Sequence, residues 1–359
     1  MEYKKLSLKN IFANLFVYGI THAVVDGICA AVIFSILKNQ IVSTTEFVSL
    51  VILYNVLAFG SQVFFGLVAD YFKSPRAVAF LGCALTGIST ITFLSFPIAA
   101  IIFAGLGNAL FHIGGGSISL NLIPKKATAP GIYVAPGALG LLVGTLLGKS
   151  GQFIALPFIL ILAILCLLMF VIKNPEMNYE REVVRKNNFD YFELILLLVF
   201  LSIAIRSLVG AVLVFPWKTN IDLLIILTAA VVLGKGLGGI LADKFGWVRV
   251  AVGALILSIP FLVFGANIPY LAIIGMFLFN ITMPITLVVI SNILPGRPGF
   301  AFGLTCLALI LGALPALSGF KQFLGGQLFV FIIIVISSLV LYFALQTYFK
   351  NYQEKKMVG

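Results

Sequence analysis

Charge is scarce in this chain: 10% of its 359 residues are Asp, Glu, Lys or Arg, and only two are histidine. Hydrophobic residues make up 61%, with 33 phenylalanines and 34 glycines. A water-soluble domain of this length could not hide that much apolar surface, whereas a bilayer solvates it directly. The four cysteines, Cys29, Cys83, Cys166 and Cys306, fall in separate apolar segments without CxxC or Cys/His spacing, and read as packing thiols rather than a disulfide frame. The spacing also contains no metal constellation, and neither a metal nor another cofactor is expected. No nucleotide-binding motif occurs: Gly114-Gly115-Gly116 follows no strand and precedes no Lys-Ser/Thr, so it reads as a close helix contact or a bend rather than a phosphate cradle. These gaps argue against an enzyme and against an ATP-driven pump that carries its own motor.

Long apolar runs fill the chain. Stretches of the roughly 20 residues needed to cross a hydrocarbon core lie at about 11–37, 46–69, 77–95, 97–121, 128–148 and 150–172, and again at 191–215, 221–243, 248–266, 268–294, 299–319 and 325–349. The first is too long, and lacks the small-residue site, for a cleavable signal. The polar run from Lys173 to Asp190 divides the segments six and six, giving an N-terminal bundle 1–172, a cytoplasmic linker 173–190 and a C-terminal bundle 191–359. With both termini cytoplasmic, 17 Lys and Arg fall on the inner side, and only Lys38, Lys149, Lys218 and Lys321 on the outer. The net charge of +11 then anchors the chain to acidic lipid rather than to nucleic acid.

Two turns repeat at an offset of 173 residues: Gly66-Leu67-Val68-Ala69-Asp70 through Arg76, and Gly239-Ile240-Leu241-Ala242-Asp243 through Arg249. Asn121-Leu122-Ile123-Pro124 and Asn292-Ile293-Leu294-Pro295 repeat at 171. One six-helix unit built twice is the consequence. The glycines allow close helix packing, and the aspartates can cap or face a helix N-terminus. Arg76 and Arg249 can pair with those aspartates in one conformation and release them in another. The alternative is a plain turn with a helix cap.

The repeated turn resembles the signature loop of the major facilitator superfamily. The second copy resembles it better, with Gly246 set against Ser74 of the first. The resemblance implies an all-α membrane protein of twelve transmembrane helices in two pseudo-symmetric bundles. It also implies a conformational latch of Gly66, Asp70, Arg76, Gly239, Asp243 and Arg249, with Asp70 securing the outward-facing state through the start of the eleventh helix. A narrower set looks like the fosmidomycin-resistance type of efflux protein: Thr21-His22 through Asp26-Gly27, Gly105 through Asn108 to Phe111-His112, and Ile205-Arg206-Ser207. Two departures stand out. Ile113 and Gly114 follow the Phe-His pair where that family has proline, and the ladder from Pro130-Gly131 and Pro136-Gly137 to Gly144 lacks the Gly-Pro ending of exporters.

Independently of any family, His22, Asp26, His112, Arg206 and Lys235 are the ionisable groups deep in apolar segments. Asp, Arg or Lys at a helix centre costs about 2.5–3.5 kcal/mol on insertion scales, so each should face a partner or a watery cavity. His22 and Asp26 share a helix face at i, i+4, as do Asn108 and His112. Gln62 and Lys235 each precede the repeated aspartate by eight residues. Asp26 is the expected proton carrier, with His22 as relay; a static Asp26–Arg206 pair is the alternative. His112 reads equally as a proton group or a satisfied histidine. Arg206, Lys235, Gln62, Asn108 and Asn280 form the expected substrate-binding set.

The sequence therefore points to a monomeric secondary transporter of a small organic solute, an anion among the candidates, in the plasma membrane. It is expected to couple to protons and work by rocker-switch alternating access. Efflux is slightly favoured over uptake, and a non-transporting scaffold is the reading from another class.

Overall fold

The computed structural model describes residues 6–40, 43–177, 179, 191–317 and 321–352, all of them helical or in short connections, with no strand among them. The basic residues Lys4, Lys5, Arg181, Arg185, Lys186, Lys355 and Lys356, and most of the expected linker, lie outside the described residues. The helices are α1 (Leu8–Gln40), α2 (Thr44–Asn55), α3 (Gln62–Phe72), α4 (Pro75–Thr92), α5 (Pro97–Leu122), α6 (Thr128–Val134), α7 (Gly137–Ser150) and α8 (Ala155–Val171). They continue with α9 (Phe192–Val212), α10 (Ile221–Phe245), α11 (Trp247–Val263), α12 (Pro269–Asn280), α13 (Met283–Ile293), α14 (Pro298–Ala313), α15 (Lys321–Leu324) and α16 (Gln327–Tyr352).

Among the described residues ten spans are long and apolar enough to cross a membrane, and α8 and α11 add two apolar helices of 17 residues each. The twelve expected segments are thus present, several of them interrupted. A π-helical turn, Val56–Gly60, joins α2 to α3. Pro136, which has no N–H to donate, separates α6 from α7. Proline sits in the first turn of α4, α5, α12 and α13, where a missing N–H costs nothing.

Helix ends follow local chemistry. Asn220 accepts from Leu223 N at 3.1 Å to start α10. Gly246, at φ 97°, ends it. Lys73 ends α3 with φ 55°, so the residue matching Gly246 in the first repeat is Lys73 rather than Ser74. There a lysine holds the left-handed conformation that glycine adopts without strain.

The chain forms two compact units. The first comprises Met1–Pro124, Ile132–Tyr179 and Arg297–Cys306; the second comprises Lys125–Gly131, Glu180–Gly296 and Leu307–Gly359. In the first unit α5 is buried on every side from Phe111 to Leu120, packed on α4 and α1. Leu160, Ile164, Leu167 and Val171 recur along the exposed face of α8, the pattern of a lipid-facing helix. In the second unit α9 packs on α16, and Ser202 and Ser337 share a hydrogen bond of 3.1 Å between them. A hydroxyl pair of this kind binds helices where no hydrophobic drive operates between them.

Candidate functional site

Four sequence-selected residues of the first unit meet at one point. His22 Nε2 lies 3.2 Å from Asp26 Oδ2, and His112 Nε2 lies 3.6 Å from Asp26 Oδ1. Asn108 donates its amide to Asp26 Oδ1 at 2.8 Å. Both histidines are buried, and the Asp26 side chain keeps 19% of its surface. The other ring nitrogens fix the tautomers. His22 Nδ1 is 2.9 Å from the Tyr133 carbonyl and His112 Nδ1 is 2.8 Å from the Asn108 carbonyl. A carbonyl can only accept, so each Nδ1 carries its hydrogen, and each Nε2 faces the carboxylate with a lone pair when its ring is neutral and with a second N–H when it is charged. With both rings neutral three acceptors face one another, and a proton or another cation shared among them relieves the repulsion.

The backbone sets this geometry. Helices α1 and α7 touch along a glycine seam: a Cβ on Gly140 would strike the Ala23 carbonyl, and one on Gly144 the Gly27 carbonyl. The seam brings Gly137 so close that its Cβ would stand 2.6 Å from Asp26 Oδ2. From the other side, Gly114 meets the backbone of Pro75 and Ala79, Gly115 meets Tyr133 and Gly116 meets the Phe302 ring. Gly114-Gly115-Gly116 is thus a close-contact stretch within a continuous helix, the first of its two expected readings.

The repeated turns adopt matching geometry in their separate units. Asp70 accepts from Gly299 N at 2.9 Å and Phe300 N at 2.8 Å, at the start of α14. Asp243 accepts from Ala127 N at 3.1 Å and from Thr128 N at 2.9 Å, at the start of α6, and from Trp247 Nε1 at 3.0 Å. Each carboxylate covers the otherwise unpaired N–H groups and the positive end of a helix. A Cβ on Gly66 would strike Gly299, and one on Gly239 would strike Ala127, so each glycine admits the helix that its aspartate caps. Arg76 here donates to the Phe170 carbonyl at 3.2 Å and the Ile172 carbonyl at 2.7 Å. No hydrogen bond or ion pair of Arg249 appears among the described residues.

The remaining selected residues have partners of their own. Gln62, fully buried, donates to the Ala58 carbonyl at 2.6 Å, inside the π turn. In the second unit Arg206, 8% exposed, donates to the Thr282 hydroxyl and, at 2.9 Å, to the Thr286 hydroxyl. Its Nε has no hydrogen-bond partner, and no carboxylate lies within ion-pair distance among the described residues. The guanidinium thus keeps its charge against neutral partners alone. Lys235 lies half-buried on α10 of the same unit. Asn280 donates to the Met276 carbonyl at 2.8 Å.

Sequence reasoning missed Tyr133, Gly137, Phe302, Thr282 and Thr286. The i, i+4 threonines, Thr282 at the N-cap of α13 and Thr286 within it, carried a visible helical spacing. Tyr133 acts through its carbonyl, which any residue would supply.

No family model matches the chain. It is similar to YfnC of Bacillus subtilis (strain 168), described as an uncharacterized MFS-type transporter, at 28% identity over 355 residues, covering 86% of each chain. Among solved structures it resembles the fucose:proton symporter FucP of E. coli, with TM-score 0.67 and 10% identity over 95% of this chain and 98% of that one. A FucP structure in the outward conformation matches at TM-score 0.65 and 11% identity, over 92% and 99%. These relatives are transporters, not enzymes. The chain is a multi-pass membrane protein with the fold of the major facilitator superfamily, and the name of its relative and its structural neighbours together support a transporter of that type.

Proposed function

We propose that the chain is a proton-coupled secondary transporter that exports a small organic anion by rocker-switch alternating access. The observation that carries this reading is the meeting of Asp26 with the two imidazole Nε2 atoms. A proton shared between Asp26 and a histidine suits the set, so in this reading Asp26 is the carrier, His22 its relay and His112 the second proton group. Arg206, buried with no carboxylate within ion-pair distance among the described residues, supports an anionic group on the solute; Lys235, Gln62, Asn108 and Asn280 complete the binding set. Asp70 and Asp243 are the latch, each holding a helix start that must be released when access changes sides. The narrower likeness to fosmidomycin-resistance proteins rests on the residues around Asp26, His112 and Arg206 and supports efflux. The symporter among the fold neighbours makes uptake the second reading. The plasma membrane, a monomer and cytoplasmic termini belong to the same proposal.

The test uses proteoliposomes with a trapped pH dye and a panel of small organic anions. A transported anion should move protons in the wild type, and Asp26→Asn should abolish that movement while Asp222→Asn, at the start of α10, leaves it intact. Undiminished proton flux in Asp26→Asn would sink the carrier assignment. The sign of the flux when solute is added to one side separates export with proton entry from co-transport.

A further inference from the structure

We propose that His22, Asp26 and His112 form a binding site for one divalent transition-metal ion of the zinc type. The inference goes beyond transport and is read by binding alone.

The donor set is two imidazoles and a carboxylate, with ligand atoms all within 4.8 Å of one another. These are ordinary zinc ligands, at about 2.0–2.2 Å from the ion. A tetrahedron with arms of that length has edges of about 3.3–3.6 Å. The nitrogen-to-oxygen separations of 3.2 and 3.6 Å, one to each oxygen of the carboxylate, have the length of those edges before any ion is added. To share one ion with both rings, the carboxylate would turn a single oxygen to the two Nε2 atoms. Their rings stand nearly perpendicular, with centroids 4.4 Å apart, so both Nε2 atoms can turn to one centre without stacking.

The surroundings also suit an ion. Metal-bound histidines characteristically donate their second nitrogen to a carbonyl or carboxylate, which fixes the tautomer and aims the lone pair. Both histidines here do so, through the carbonyls of Tyr133 and Asn108. The carboxylate is oriented in turn by the Asn108 amide. The Asn108 side-chain oxygen, in a residue 2% exposed, has no hydrogen-bond partner among the described residues. It is a spare buried acceptor beside the triad, of the kind that water on a metal's fourth position satisfies. Phe111 and Phe302 stand about 6 Å from these rings and keep the surroundings apolar. One negative and two neutral ligands leave the ion a net charge of one, with a side open at the partly exposed Asp26.

The chain has no histidines besides these two, which makes the test clean. Full-length protein would be purified through a histidine-free tag, stripped with chelator and dialysed against buffered Zn2+ or Co2+. The expected result is one ion per chain, visible ligand-field bands of four-coordinate Co2+, and a higher unfolding temperature with Zn2+ but not with Mg2+. His22→Gln and His112→Gln should each weaken binding at least tenfold, and the double variant should bind none. Equal uptake by wild type and double variant would overturn the site, since the ion would then sit on surface carboxylates. Should the variants fold poorly, the wild-type Co2+ spectrum decides: absent bands, or bands of six-coordinate Co2+ only, also overturn it. A failed proton-flux assay alongside a positive Co2+ spectrum would refute coupling and leave the metal site standing.

Discussion

At Gly137 a single hydrogen atom, in place of a methyl group, leaves the room that the triad occupies. A methyl group there would stand 2.6 Å from Asp26 Oδ2 and 2.5 Å from His22 Nε2. Neither side chain can retreat, because one is tied to Asn108 and the other to the Tyr133 carbonyl. Gly137→Ala should therefore cost about 1–3 kcal/mol from overpacking and lower proton-linked transport more than tenfold. Tyr133→Phe keeps the carbonyl and should leave the His22 tautomer, and hence the pH profile, unchanged. Unfolding curves and the proteoliposome assay check both. In the second unit, Thr286→Val would deprive Arg206 of a hydrogen bond to a buried charge and should destabilise the fold by about 1.5–3 kcal/mol. Part of this was legible in advance. His22 with Asp26, and Asn108 with His112, declared themselves by helical spacing and by the expense of placing such groups in oil. Their meeting was not, since no local rule links positions 82 or more residues apart, and the carbonyls that orient the rings have no side-chain code.

For the elements, composition and length were nearly sufficient. The apolar runs matched helices to within a few residues, because in a bilayer an unpaired backbone amide has no water to turn to. Interruptions were harder to foresee: Pro136 divided α6 from α7, and the π turn at Val56–Gly60 left no mark in residue type. The repeated aspartates were legible as helix caps, though which helix each would cap was given only by the family resemblance, and only for Asp70. Asp243→Ala removes the partners of two backbone amides and of the Trp247 indole. It should cost about 1–2 kcal/mol, the upper range for a lost helix cap, seen as a lower unfolding temperature. Asp70→Ala, with two amides affected, should lose about 1 kcal/mol.

Across the whole molecule, the duplicated turns announced a duplicated architecture, and the two compact units follow the chain except at 125–131 and 297–306. Those exceptions have a physical source. The first segment contains Ala127 and Thr128, held by Asp243, and the second contains Gly299 and Phe300, held by Asp70. A contact of that sort is invisible to any boundary drawn from composition. Lysine and arginine placement sets the expected orientation, which cysteine labelling can check. With an impermeant maleimide applied to intact cells, Lys218→Cys should react and Lys73→Cys should not; the reverse pattern would invert the topology. The π turn carries a consequence of its own. It holds one residue more than an α-helix would use, and the buried Gln62 amide takes up the Ala58 carbonyl within it. Deleting a single residue there would restore regular winding and swing everything from Gln62 to Asp70 through about 100°. The carboxylate would then turn away from the amides of Gly299 and Phe300. Where the alphabet offers so few polar letters, aim is written instead in the phase of the backbone screw.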